Sequence, residues 1–275
     1  MKKNLLLFVT FLFFTAFVAK DTKYRYIPND TFKKGEHIEY LVHYGLINAG
    51  VANVDVDHKH YLLNNRVCYK VDVVGKTLGV AGVLAKVNDT WRTYIDTAAF
   101  IPHRFYRDIE EGSYRRKELT DFNPLNNTAE LKYEEYGEKD PPEKRKKGKK
   151  NFTTPDYVQD LISGYYYIRM LDLDKMKDGE VFTVPGLLED QLYTLKIRYK
   201  GKEEVKTKFG KINAHRLVPI MPENGMFSGE NSVRFWVSDD KNRVPVKIET
   251  DMFIGKVTIE VKDYRNLKHK LNFVD

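Results

Sequence analysis

Apolar residues recur at every second position along most of this chain, and that period constrains the fold class more than any other feature. In GEHIEYLVHYGLINAG, residues 35–50, Ile38, Tyr40, Val42 and Tyr44 alternate with mostly polar neighbours, the pattern of a half-buried strand. The same stretch holds His37, Glu39 and His43, residue types that ligate metals. The period argues against a shared ion. At ~3.3 Å per residue His37 and His43 lie roughly 20 Å apart, whereas ligands of one zinc each sit about 2 Å from it. The three are read as the solvated face of a strand.

About a dozen such segments are expected, from Glu36–Ile47, Val51–Asp57 and Arg66–Gly75 through Val87–Asp96, His103–Glu110, Tyr114–Phe122 and Ala129–Tyr133 to Gln191–Lys200, Ile212–Ile220, Ser232–Val237, Val244–Thr250 and Lys256–Asp263. Asn64-Asn65, Glu111-Gly112, Lys200-Gly201 and the stretch DDKN at 239–242 supply the small and polar residues that tight reversals need. Sequential strands with short reversals imply a mainly β protein, an antiparallel sheet curled into a barrel-like or sandwich fold. One segment breaks the rhythm. In TTPDYVQDLISGYYYIRM, Thr154 suits an N-cap and Pro155 the first helical position, while Val158, Leu161, Ile162, Tyr165 and Arg169 share one arc of a helix packed on the sheet. LGVAGVLA at 78–85 is too short to span a membrane and is expected to form one buried turn between strands.

The opening, MKKNLLLFVTFLFFTAFVAK, has two lysines followed by an apolar run from Leu5 to Ala19, the layout of a secretory signal peptide. We therefore expect residues 1–19 to be an export signal and 20–275 a single β-rich domain of the periplasm or cell envelope. No later segment is long and apolar enough to be read as a membrane span of the mature chain. Cys68 is the only cysteine, which excludes an internal disulfide and a cysteine-based metal centre, and its alternating neighbours place it in a strand. The formal charge is +7, of which Glu138–Lys150 (EKDPPEKRKKGKK) contributes +4. Basicity thus belongs to one loop at 138–150 and not to a face of the fold, so a nucleic-acid groove is not expected.

Catalytic patterns are sought without success. GMFSGE at 225–230 has the wrong spacing for a nucleophile elbow, and no phosphate loop, dinucleotide fingerprint or HExxH is present. No catalytic residue, metal ligand or cofactor is assigned. His58 and His60, with Asp55 and Asp57, are read as a hydrated strand end. The aromatics Trp91, Tyr165, Tyr166 and Trp236 are the candidates for lining a small ligand cavity, against the alternative of plugging the sheet–helix interface. Arg169 stands on the apolar stripe of its own helix and is expected to be buried in a structural ion pair, with Asp239 or Asp240 of the WVSDD corner as partner.

GEHIEYLVHYGLINAG, VQDLISGYYYIRM and FWVSDDKNRVPVKIETDMFIGKVTIEV together resemble, in order, the exported bacterial family of domain of unknown function 3108, from about Phe32 to Tyr264. The resemblance implies an envelope protein with a β-barrel-like fold and implies no reaction, so no catalytic residue is carried over from it. The expected function is therefore that of a non-enzymatic envelope protein binding a lipid-like or glycan ligand or an envelope partner. An envelope hydrolase with an unrecognised site and a structural scaffold are the alternatives.

Overall fold

The alternation is realised as one continuous antiparallel sheet. A computed structural model describes residues 24–221, 231–252 and 255–274; the expected export signal and GMFSGE lie outside the described residues. The strands are β1 His37–Tyr44, β2 Ile47–Leu63, β3 Arg66–Thr77, β4 Asn88–Asp96, β5 Pro102–Glu111, β6 Tyr114–Asn123, β7 Thr128–Gly137, β8 Lys146–Thr153, β9 Val181–Leu188, β10 Gln191–Thr207, β11 Gly210–Pro219, β12 Val233–Ser238, β13 Pro245–Asp251, β14 Lys256–Arg265 and β15 Phe273–Val274. Two helices interrupt them, α1 Gly79–Leu84 and α2 Leu161–Arg169. Each strand pairs with its sequence neighbours within β1–β8 and within β9–β14, and β14 joins the two runs by pairing with β1, so the order is β8-β7-β6-β5-β4-β3-β2-β1-β14-β13-β12-β11-β10-β9 with β15 beside β11.

How far the sheet curls follows from two consecutive residues. Gln159 bridges Gly186 of β9, and Asp160 accepts a hydrogen bond from Thr93 of β4 at 2.6 Å. In a flat sheet β4 and β9 are nine inter-strand steps apart in this order, or about 43 Å at ~4.8 Å per step. Adjacent residues cannot reach both unless the sheet rolls until the β9 edge meets the face of β4 and β5. Arg107 of β5 then reaches Glu189, beside β9, at 3.4 Å. The result is barrel-like and not a sandwich of two sheets, with α2 inside the roll.

Three local expectations are corrected. The helix starts at Leu161, not near Thr154, because both ends of 154–159 are used in pairing: Thr154 donates to Asn127, and Gln159 exchanges hydrogen bonds with Pro185 and Leu187. Tyr157, at φ 58°, is also in the left-handed region that a helix excludes. The basic stretch is loop only as far as Arg145, since Lys146–Thr153 form β8 on β7. This is an edge strand, and lysines on an edge deter pairing with other chains. Finally, 78–85 is not a buried turn. It carries α1, with Val80 and Val83 exposed to solvent.

Candidate functional site

The site is built around α2, whose start is fixed by Asp160. One carboxylate oxygen of Asp160 accepts from the backbone N–H of Ile162 and of Ser163, both at 2.8 Å, while Ser163 Oγ accepts from the Asp160 N–H. This reciprocal cap satisfies amides that the first helical turn would otherwise leave unpaired inside the protein. Burial pushes the Asp160 carboxyl up to about 6, against the opposing effect of its hydrogen bonds from Thr93, Ser163 and Ile162.

The nine residues of α2 present two apolar faces. On the core face, Ile162, Tyr166 and Arg169 follow at helical spacing and all are buried. Arg169 forms a bidentate pair with Glu36, Nη1 to Oε1 at 2.6 Å and Nη2 to Oε2 at 3.0 Å, and its Nε donates to the Asn242 carbonyl at 3.1 Å. Both side chains are 0% exposed, and the rings of Phe32, Tyr165 and Tyr166 lie 5.0–5.9 Å from the guanidinium. Beside this pair the Tyr165 hydroxyl meets that of Tyr40 on β1 at 2.8 Å.

The expected partners Asp239 and Asp240 are thereby corrected. Asp240 accepts from the N–H of Asn242 in its own turn and from that of Asn272, 32 residues on, and Asp239 pairs with Lys202 at 2.9 Å and His215 at 3.0 Å. The corner reaches Arg169 only through a backbone carbonyl. Glu36, at the entry to β1, is the carboxylate that faces the core side of α2.

On its other face α2 presents Leu161, Tyr165 and Ile168, which line a cavity of about 190 Å³ completed by Val184, Gly186, Tyr193, Leu195, Phe235, Pro245 and Ile248. Leu161 is 47% exposed and Tyr193 40%, so this face opens to solvent. Gly186 lets the Tyr193 ring lie close, since a Cβ there would be 3.0 Å from it. Gln159 and Asp160 are the polar members, and Gln159 Oε1 is buried without a hydrogen-bond partner.

Of the aromatics singled out in the sequence, Tyr165 alone lines this cavity. Tyr166 belongs to the closed core. Trp91 packs over Gly75 on β3, where a Cβ would come within 3.3 Å of its ring. Trp236 alternates with Phe235 on β12 and so faces the opposite side; its indole N–H donates to Glu203, with Arg216 and Lys247 near the ring at 5.8 and 5.5 Å. Sequence reasoning missed Leu195, Phe235 and Ile248, which lie on one contiguous part of the sheet, Phe235 directly opposite Ile248, and meet Tyr165 of α2 only in the tertiary fold. It also missed Asp160, although Asp160 and Ser163 stand at the spacing of a reciprocal cap.

Other polar clusters are internally satisfied. Asp174, His215 and Asp239 have ligand atoms within 4.8 Å of one another, but Lys202 Nζ lies 2.6 Å from Asp174 and 2.9 Å from Asp239, occupying the cation position itself. Burial holds His215 below the ordinary histidine value, and the Tyr199 hydroxyl is 3.0 Å from its Nδ1. His37, Glu39 and His43 each face a separate cross-strand partner, Asp55, Lys262 and Glu260. Cys68 is fully buried, and burial pushes its thiol up to about 12, which leaves no reactive thiolate near neutrality. A larger open groove of about 880 Å³ runs past Asn64, Arg104, Asp121, Glu130 and Asn151, but Arg104 pairs with Asp121, and Glu130 with Lys132 and Lys149.

A family model described as protein of unknown function (DUF3108) matches residues 39–262. No curated protein matches the chain. Among solved structures, a beta-barrel-like protein of domain of unknown function DUF1849 from Brucella abortus aligns over 92% of this chain and 100% of its own at 9% identity, with a TM-score of 0.49. A candidate lipoprotein from Parabacteroides distasonis aligns over 86% and 100% at 10% identity, TM-score 0.35. A candidate exported protein with a YmcC-like fold from Bacteroides fragilis aligns over 88% and 99% at 10% identity, TM-score 0.33.

Proposed function

The chain belongs to the DUF3108 family of proteins of unknown function, and from that premise we propose that it is an exported, non-enzymatic envelope protein that holds one alkyl or acyl chain of a lipid-like ligand beside α2. The observation that carries this reading is the second apolar face of α2. A short helix enclosed by a rolled sheet has every reason to bury Leu161, yet it is 47% exposed and, with Tyr165 and the buried Ile168, lines an open cavity whose other walls are chiefly apolar. At about 190 Å³ the cavity falls below the ~300–1,000 Å³ of sites for drug-sized ligands, which favours a single hydrocarbon segment over a sugar ring with its hydration and hydroxyl partners. In the larger groove the charged groups are paired, Arg104 with Asp121 and Glu130 with Lys132 and Lys149.

Export is supported by the lysine-led apolar run of residues 1–19, with residues 20–275 forming the one domain that remains. No helix among the described residues is long and apolar enough to cross a membrane. The hydrolase and scaffold alternatives have no comparable observation behind them.

Native mass spectrometry of the protein purified from its own envelope tests the proposal. A co-purifying apolar mass is expected, and Leu161→Arg, a change at a half-exposed position that the core does not need, is expected to remove it along with binding of a hydrophobic fluorescent probe. Wild-type protein that carries no such mass and binds no probe refutes the reading.

A further inference from the structure

The antiparallel order places the β1–β2, β3–β4 and β13–β14 reversals at one end of the sheet, side by side. Leu78 N–H donates to Ala49 at 2.9 Å, joining the α1 connection to the start of β2, and Gly45 N–H donates to Lys256 at 2.9 Å, joining the β1–β2 reversal to β14. This rim carries a dense set of uncovered apolar side chains. Leu46 is fully exposed, Val83 85%, Val80 69% and Ile47 56%, with Leu78 and Met252 beside them. From Leu78 to Ala85 the chain has no polar side chain at all. Val80 and Val83, three residues apart on α1, point into solvent where a surface helix ordinarily carries charge. Scattered exposed aliphatics are unremarkable, but a contiguous set at adjacent tips is not.

The charges around these tips identify the occupant. Lys76 and Lys86 flank α1, are exposed, and make no ion pair among the described residues. Lys256 is tied to Glu249 at 2.7 Å, and Asp251, the one carboxylate within the three reversals, is tied to Arg234 at 2.6 Å. Glu111, which bridges Val87, is the exposed carboxylate next along the rim. Glu110, the other carboxylate there, accepts from Asn88 at 3.0 Å, so the charges that directly flank α1 on the chain are the two lysines. Projecting aliphatic tips with a lysine on either side suit shallow insertion between anionic lipid head groups, whereas a protein hot spot calls for concave, desolvated pockets. We propose that this rim, centred on Leu46, Val80 and Val83, docks the protein on an anionic lipid surface, with Lys76 and Lys86 at the head-group level. The proposal is independent of the α2 cavity, and its failure leaves that reading intact.

The test is co-sedimentation of protein purified from its own envelope with vesicles of phosphatidylglycerol and phosphatidylethanolamine, compared with phosphatidylcholine alone. We expect binding to the anionic vesicles and little to the neutral ones. The Leu46→Ser, Val83→Ser double variant should lower the partition coefficient roughly tenfold or more. Lys76→Gln with Lys86→Gln should lower it to a similar degree on anionic vesicles, and high salt should abolish that difference. Because these side chains are exposed, both double variants should melt with wild type, and thermal unfolding checks that. Absence of vesicle binding overturns the proposal, as does undiminished binding by the serine variant. Loss of a protein crosslink in cells by the serine variant, with vesicle binding unchanged, likewise overturns it in favour of a protein-docking rim.

Discussion

Arg169 and Glu36 offer the sharpest test of how the roll is held together. Two fully buried charges in bidentate contact have given up all their water, so each depends on the other, and the Asn242 carbonyl depends on Arg169 as well. Replacing Arg169 with Met keeps much of its volume but leaves Glu36 as an uncompensated buried carboxylate, a loss of about 3–5 kcal/mol. Glu36→Leu strands the guanidinium and should cost a similar ~3–5 kcal/mol. The double variant removes both charges, and replacing a buried pair by apolar residues is often close to neutral, so it should lose far less than the roughly 6–10 kcal/mol sum, with a coupling of at least ~3 kcal/mol. Urea unfolding followed by the fluorescence of Trp91 and Trp236 measures all three. Asp240→Asn serves as a control expected to lose no more than ~1–2 kcal/mol, since the Asp240 carboxylate accepts from the backbone N–H groups of Asn242 and Asn272 and asparagine keeps an acceptor oxygen. A wild-type midpoint for Arg169→Met, or strict additivity in the double variant, refutes the reasoning.

Asp160 should give the fold an unusual pH dependence. Its carboxyl sits at about 6 when folded against 3.8 ordinarily, so the folded chain holds the proton more tightly; stability from this group is full below about pH 4 and falls as pH rises through 6, by ~3 kcal/mol in all. Asp160→Asn keeps an acceptor oxygen for the two amides and should lack that slope, so parallel pH–stability curves for the two proteins would contradict the assignment. Deleting Pro141–Lys150 removes the β8 residues paired with Leu131–Glu135 and should lose more than ~2 kcal/mol in thermal unfolding, whereas deleting Pro141–Glu143 alone should stay within ~1. Cys68 should resist iodoacetamide at pH 8 in native protein and react once urea unfolds it; labelling at the free-thiol rate under native conditions would show it to be accessible.

What the sequence made legible follows from the range of the interactions involved. Strands with clean alternation were readable because the period is local, but β9 was hidden by Pro185 and Gly186. Pro185 is tolerated there because β9 lies at the edge of the sheet and its carbonyl is free to accept from Gln159. β8 was hidden by its lysines, the same residues that keep an edge solvated. That Arg169 is buried could be inferred from its helical spacing, but its partner could not, because Glu36 lies 133 residues away and nothing local distinguishes it from other acids. The cavity was least legible of all. Tyr165 meets Leu195 and Phe235 only because Gln159, bridged to Gly186, holds α2 against the β9–β13 part of the sheet, which no single segment encodes.

The pairing of β14 with β1 has a kinetic consequence. Every other ladder of the order β8…β1 and β14…β9 joins strands adjacent in sequence, so those hairpins can zip as soon as their residues are available. The β1–β14 seam instead bridges contacts such as His43 to Glu260, 217 residues apart, and closing a loop of that length costs roughly 5 kcal/mol in chain entropy before the first contact forms. It should be the last ladder to gain protection when hydrogen exchange is pulsed during refolding. A chain threaded through a membrane from its N-terminus would thus emerge as two strings of hairpins. Tyr40, against which Tyr165 of α2 rests, lies on the seam strand β1, so the cavity takes its final shape only after the whole polypeptide has arrived.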